Sequence, residues 1–107
     1  MLASGERVFI HAVNMVEVRY HYQRRGEQAL EAAICSIAAA AIEVERVMDD
    51  RFLTTAAYLK AVYPPIALGD VFAVALAMRL QATLVTTDRG ELEKIAAAGL
   101  CPIEFLR

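Results

Sequence analysis

Short, almost wholly apolar runs alternate along this chain with longer segments whose apolar residues recur at helical spacing, and that alternation leaves few architectures open. Val8-Phe9-Ile10-His11-Ala12-Val13 is one such run, and residues 83–86 and 101–106 supply two more. A strand with no polar face has to be covered on both sides, the situation of a parallel sheet flanked by helices. Residues 42–47 differ: Glu43, Glu45 and Arg46 interrupt the Ile and Val only roughly in alternation. That pattern reads as a half-exposed edge strand whose charges discourage further pairing. The expectation is α/β, a three-layer α/β/α domain built on a mostly parallel sheet.

The intervening segments carry helix signals. Asn14 followed three residues later by Glu17 has the form of a capping box, with a helix running to about Arg25 and stopped by Gly26. Leu30, Ala33, Ile34, Ile37, Ala38 and Ala41 then recur at helical spacing, with Glu27, Gln28 and Glu31 on the wet face. From Asp49, the residues Phe52, Leu53, Ala56, Leu59, Val62 and Tyr63 mark another helix, ended by Pro64-Pro65. Gly69-Asp70 opens a segment with no polar face until Arg79 and Gln81, the mark of a buried helix. Asp88 with Glu91 at the third position starts a last helix, and Gly99 offers a left-handed stop.

A chain of 107 residues with 58% apolar and 22% charged residues can bury a core, so residues 1–107 are read as a single domain. The net charge of −2 excludes a broad basic surface, and any nucleic acid has to be met locally. Cys35 and Cys101 lack metal-ligand spacing and read as reduced, buried thiols without a disulfide. Residues 1–7 hold no signal-peptide core, and charges interrupt every later apolar run. A soluble, cytoplasmic protein is expected.

Three acids, Glu17, Asp70 and Asp88, fall at predicted helix starts behind apolar segments. A negative charge there satisfies backbone donors and favours the helix dipole by roughly 0.3 to 1 kcal/mol, which alone accounts for any one of them. In a parallel sheet, however, the strand ends that lead into helices share an edge, where ligands bind. Glu17 and Asp88 fall on that edge. Asp70 follows a helix and a loop, so spacing alone does not bring it there. Convergence of the three would raise their pKa values unless a cation neutralised them. Hard carboxylate oxygens select Mg²⁺ or Mn²⁺, and such an ion serves phosphodiester hydrolysis. Thr86 and Thr87 are placed to orient water or a ligand, against their ordinary role as β-formers. Arg89 is placed to meet a phosphate, against a solvated role. His11 and His21 have no partner spacing for zinc or a triad and read as structural. Arg19, His21, Arg24 and Arg25 could meet RNA phosphates or an acidic peptide, or form a wet helical face. No glycine-rich phosphate loop, GxSxG elbow or CxxC is present.

In order and spacing these segments resemble PIN-domain ribonucleases, especially toxins of the VapC type. Ala12-Val13-Asn14-Met15-Val16-Glu17-Val18 is similar to that family's second-strand-to-helix motif, and Leu68-Gly69-Asp70-Val71-Phe72-Ala73-Val74-Ala75-Leu76-Ala77 to its central acidic motif. Leu84-Val85-Thr86-Thr87-Asp88-Arg89 is similar to its third. The resemblance implies that Glu17, Asp70 and Asp88 hold Mg²⁺ or Mn²⁺ for endonucleolytic RNA cleavage. Asn14, Thr86, Thr87, Arg89 and Glu91 stand beside them as secondary candidates. It further implies a cognate antitoxin that occludes the site, and homodimers. Members of the family begin with a strand bearing an Asp-x-Ser motif, and this chain starts after it, so an N-terminally truncated domain without the first metal-binding Asp is expected. Losing that central strand should leave the sheet in two pieces, with a strand from another chain or a rearranged sheet as alternatives to simple truncation. Weakened metal affinity and impaired activity follow. Two rivals are a noncatalytic PIN-fold module that binds an antitoxin-like partner or itself, and a receiver-like phosphoacceptor domain, whose acid pair and later lysine are missing.

Overall fold

The expected alternation is realised in a computed structural model that describes residues 6–106. Along the chain run β1 (Val8–His11), α1 (Ala12–Gln23), α2 (Glu27–Ala39), β2 (Ile42–Glu45), α3 (Asp50–Val62), α4 (Leu68–Leu80), β3 (Leu84–Thr86), α5 (Leu92–Ala97) and β4 (Ile103–Phe105). The class is α/β with parallel strands, as the apolar runs require. By its contacts the chain divides into two compact units, Met1–Arg46 and Val47–Arg107. Each contains its own two-stranded sheet. In the first, β1 pairs with β2 in parallel, Val8 opposite Ile42 and His11 opposite Glu45. In the second, β3 pairs with β4, Leu84 opposite Ile103 and Thr86 opposite Phe105. Among the described residues neither pair has a third strand. No helix of the described residues is long and apolar enough to cross a membrane.

In the first unit β1 passes into α1 without a loop, because His11 serves both elements. Its backbone is extended (φ −72°, ψ 147°), which brings the imidazole Nδ1 within 3.0 Å of the Val13 N–H it accepts. The expected cap at Asn14 is therefore wrong. The strand stops two residues earlier than the apolar run, and Asn14 lies inside the helix. His11 is 1% exposed, so its structural reading stands. Across the sheet, Arg7 donates from Nε and Nη2 to both carboxylate oxygens of Glu43, at 2.8 and 2.7 Å. The bond holds the exposed Glu43 carboxyl below its ordinary range and raises the arginine. The chain enters β2 through Ala41, held left-handed at φ 57°. Cys35 is exposed, which corrects the expectation of two buried thiols; Cys101 is buried, and burial pushes its thiol pKa up.

The second unit is built on the packing of α3 against α4. Phe52, Ala56 and Leu59 of α3 are buried, as are Val71, Val74 and Ala75 of α4. Periods of three and four residues produce both stripes. The Phe52 and Phe72 rings lie 6.0 Å apart between centroids. At the entrance of α3, Asp49 accepts from the Phe52 N–H at 2.9 Å and caps the helix. Its two carboxylate oxygens also face the two terminal guanidinium nitrogens of Arg79, at 3.2 Å for the Nη1–Oδ1 bond and closer for Nη2–Oδ2. The start of α3 is thereby tied to the end of α4. The Arg79 hydrogen bonds, and then the Phe52 N–H, pull the Asp49 carboxyl down to about 2. A depressed carboxylate stabilises the fold above its unfolded pKa, so this contribution is complete above about pH 4 and lost as pH falls through about 2. Asp49→Asn, which still caps the helix, is expected to flatten the fall in urea midpoint across that window by lowering the midpoint above pH 4; Asp49→Ala, which loses the cap too, should lower the neutral-pH midpoint further. An unchanged acid limb in Asp49→Asn would show that the ion pair adds nothing.

From α4 the chain turns into β3 through Gln81, left-handed at φ 52°, with the Ala82 N–H donating to Ala77 O at 2.9 Å. The closing helix α5 ends before Gly99, whose φ of 73° supplies the expected left-handed stop.

Candidate functional site

Glu17 and Asp88 depart from the expected helix-start position, whereas Asp70 keeps it. Glu17 is the sixth residue of α1 and is exposed; the first turn of that helix contains no acid. The expected capping box fails because His11 starts the helix earlier. The dipole explanation of Glu17 falls with it, since the effect dies away within the first turn. Asn14 serves Glu17 instead, donating from Nδ2 to Oε1 at 3.3 Å across one turn.

Asp70 lies in the first turn of α4, half-buried, as expected of an acid at a helix start. The helix has Ala67 at its cap position, with no side-chain cap bond. Asp88 is exposed in the loop between β3 and α5. It does not cap α5, which begins later: Glu91 occupies the cap position and makes no side-chain cap bond. The Asp88 N–H instead donates to Thr86 Oγ1 at 3.0 Å. That bond folds the chain back on the last residue of β3, a local alternative to helix that threonine offers readily. Gly90, at φ 28°, completes the turn.

Asp70 and Asp88 belong to the same unit: Asp70 opens α4, and Asp88 follows β3, the strand that α4 contacts and into which it leads through the left-handed Gln81.

The secondary candidates divide. Asn14 and Thr86 each support one of the acids. Thr87 is exposed. Arg89 is engaged, its Nη1 3.1 Å from Glu93 Oε2 and its guanidinium 4.7 Å from the Phe105 ring centre. Glu91 is paired with Lys94 at 2.8 Å. Sequence reasoning missed the tyrosines among the basic residues of α1. Arg24 lies 5.6 Å over the ring of Tyr20, and Arg25 lies 5.7 Å over that of Tyr22. The interleaving of aromatic and basic residues in Arg19-Tyr20-His21-Tyr22-Gln23-Arg24-Arg25 was the signal for them.

Carboxylate oxygens are the right donors for a hard divalent ion. Their assembly is not: among the described residues no group of three or more His, Cys, Asp or Glu is gathered that could hold a metal. No chemical step is therefore routed through an ion.

A family profile described as PIN domain matches residues 1–98, a stretch that takes in the first unit, most of the second and all three acids. Domains of that family are divalent-metal-dependent nucleases that bind RNA. No match to the chain was found among curated proteins or among solved structures. Parallel strands alternating with helices, acids on α1, at the start of α4 and after β3, and a profile match over nearly its whole length make this chain a member of the PIN domain family.

Proposed function

We propose that this chain is a metal-dependent endoribonuclease of the VapC type, the toxin of a toxin–antitoxin pair. Glu17, Asp70 and Asp88 are its functional acids and Mg²⁺ or Mn²⁺ its cofactor. The observation that supports this most is the PIN family match over residues 1–98, a stretch that contains all three acids. When bound, a divalent ion supplies a Lewis acid that lowers the pKa of water and offsets charge on a phosphate. The chain's own part is to present the carboxylates: Asn14 steadies Glu17, and Thr86 fixes the loop that carries Asp88. On this reading RNA is the substrate, a cognate antitoxin and a second copy of the chain are the partners, and the cytoplasm is the compartment.

A second reading, a noncatalytic PIN-fold module that binds an antitoxin-like partner or itself, is favoured by the lack of a gathered metal-ligand group among the described residues. Cleavage of single-stranded RNA with Mn²⁺ or Mg²⁺ separates the two. Wild type should cut and EDTA should stop it, with Asp88→Asn slower by about 100-fold or more, the scale of lost charge stabilisation at a phosphoryl centre. Equal rates in the two proteins would remove these acids from the reaction. A wild type that never cuts, yet holds a partner regardless of EDTA, would make the binding module the better account.

A further inference from the structure

We propose that the end of α1 and the turn after it, from Tyr20 to Arg25, form a landing surface for single-stranded RNA beside Glu17; the assignment extends the nuclease reading and rests on it. Along residues 18–26 there is no acid, in a chain whose net charge is −2. Arg7, Arg79, Arg89 and Lys94 are each paired with a carboxylate. Among the described residues Arg19, Arg24 and Arg25 are paired with none, so their charge is open to a ligand.

Placement on the helix turns this charge into a path. At 3.6 residues per turn, Glu17, Tyr20, His21 and Arg24 fall within about 100° of arc. One face of α1 thus carries an acid, then an aromatic ring and an imidazole, then a guanidinium, over about 10 Å from Glu17 to Arg24. Arg25 follows in the tight last turn, its N–H donating to Tyr22 O at 2.9 Å. Tyr20 is 61% exposed, with the Arg24 guanidinium 5.6 Å from its ring centre. Tyr22 points away from this face, about 160° round the helix from Tyr20, and with Arg25 lines an open cleft of about 410 Å³ against Ala29, Ala32 and Ala33 of α2.

Flat rings interleaved with arginines favour RNA over an acidic peptide. A peptide carboxylate would use the guanidiniums and leave the rings idle. Unstacked bases lie on tyrosine and arginine planes while the same arginines meet phosphates. A strand held along this face by the arginines would pass beside Glu17, whose own charge repels phosphate, so the basic residues alone hold the backbone.

Fluorescence anisotropy of the full chain with a labelled single-stranded RNA oligonucleotide, in EDTA, tests the surface without catalysis. Wild type should bind. Arg24→Ala with Arg25→Ala should weaken binding at least tenfold and reduce the salt slope by about 1.4, the loss of two phosphate contacts to a single strand. Tyr20→Ala should weaken it about fivefold or more with the slope unchanged. Arg51→Ala, an exposed arginine on α3, should bind as wild type does. A wild type that fails to bind, or a double variant that binds normally, overturns the proposal. So does a Tyr20→Ala protein with full affinity whose RNA is displaced equally well by poly-glutamate, since the face would then read charge alone. Asp88→Asn keeps α1 intact and separates the two readings. RNA binding lost in the double variant, with cleavage unchanged in Asp88→Asn, supports the surface and removes the acids from catalysis. Cleavage lost in Asp88→Asn, with binding unchanged in the double variant, keeps the nuclease and removes the surface.

Discussion

Phe52→Ala is expected to lower the free energy of unfolding by about 3 to 5 kcal/mol, the range for removing a buried aromatic ring. That is a large share of the total stability of a small domain. Phe52 is 1% exposed, sits one turn from Ala56 on the buried stripe of α3, and lies beside Phe72 of α4. Its own N–H is the donor that Asp49 caps, so the ring enters the helix–helix contact from the first turn, where the chain is also held by the ion pair to Arg79. Truncation leaves a cavity that neither helix can close without moving against that tie. Leu53, the next residue, is 44% exposed, and Leu53→Ala should change stability by no more than about 0.5 kcal/mol. Urea unfolding followed by circular dichroism compares them. Similar midpoints for the two variants would mean that the α3–α4 contact is not the core of its unit.

Asp70→Asn should leave the fold almost untouched and lower RNA cleavage by about 100-fold or more. Asparagine has the same shape, and it replaces the charge and one acceptor oxygen by a neutral amide. In the first turn of α4 that charge favours the helix dipole by about 0.3 to 1 kcal/mol, so thermal unfolding should register a small loss. A residue present only for the helix would show that small loss with full activity. A residue present for phosphate chemistry shows the reverse proportion. Measuring both on one preparation decides between them, and an unchanged cleavage rate with lowered stability would return Asp70 to a purely structural role.

Much of this architecture could be read from residues because short-range rules decide it. Pro64-Pro65 and Gly99 end helices by backbone geometry alone, and the apolar stripe of α3 follows from its period. The PIN resemblance, read from three acid-bearing segments, agrees with the profile match over residues 1–98. Errors collected where two local rules competed. Asn14 with Glu17 satisfies the capping-box pattern, yet the histidine at the end of β1 reaches the free N–H groups first. Asp88 with Glu91 satisfies it as well, yet the hydroxyl of Thr86 takes the Asp88 N–H and the helix starts later. In both cases a side chain outside the motif won by proximity. That α4 packs on β3, the strand leading to Asp88, lay beyond any local pattern, because it is a tertiary contact.

Two of the three helix-to-strand connections among the described residues share a device. Ala41 and Gln81 are both held left-handed without being glycine, at a cost of about 1 kcal/mol each or more; the third connection uses Gly99, which adopts that conformation without the penalty. Each strained residue is bounded on one side by a helix's last turn and on the other by a strand in which a one-residue slip would turn the inner face outward. Gln81 thus stands between the helix that carries Asp70 and the strand that leads to Asp88, so the backbone conformation of one residue sets where that strand begins.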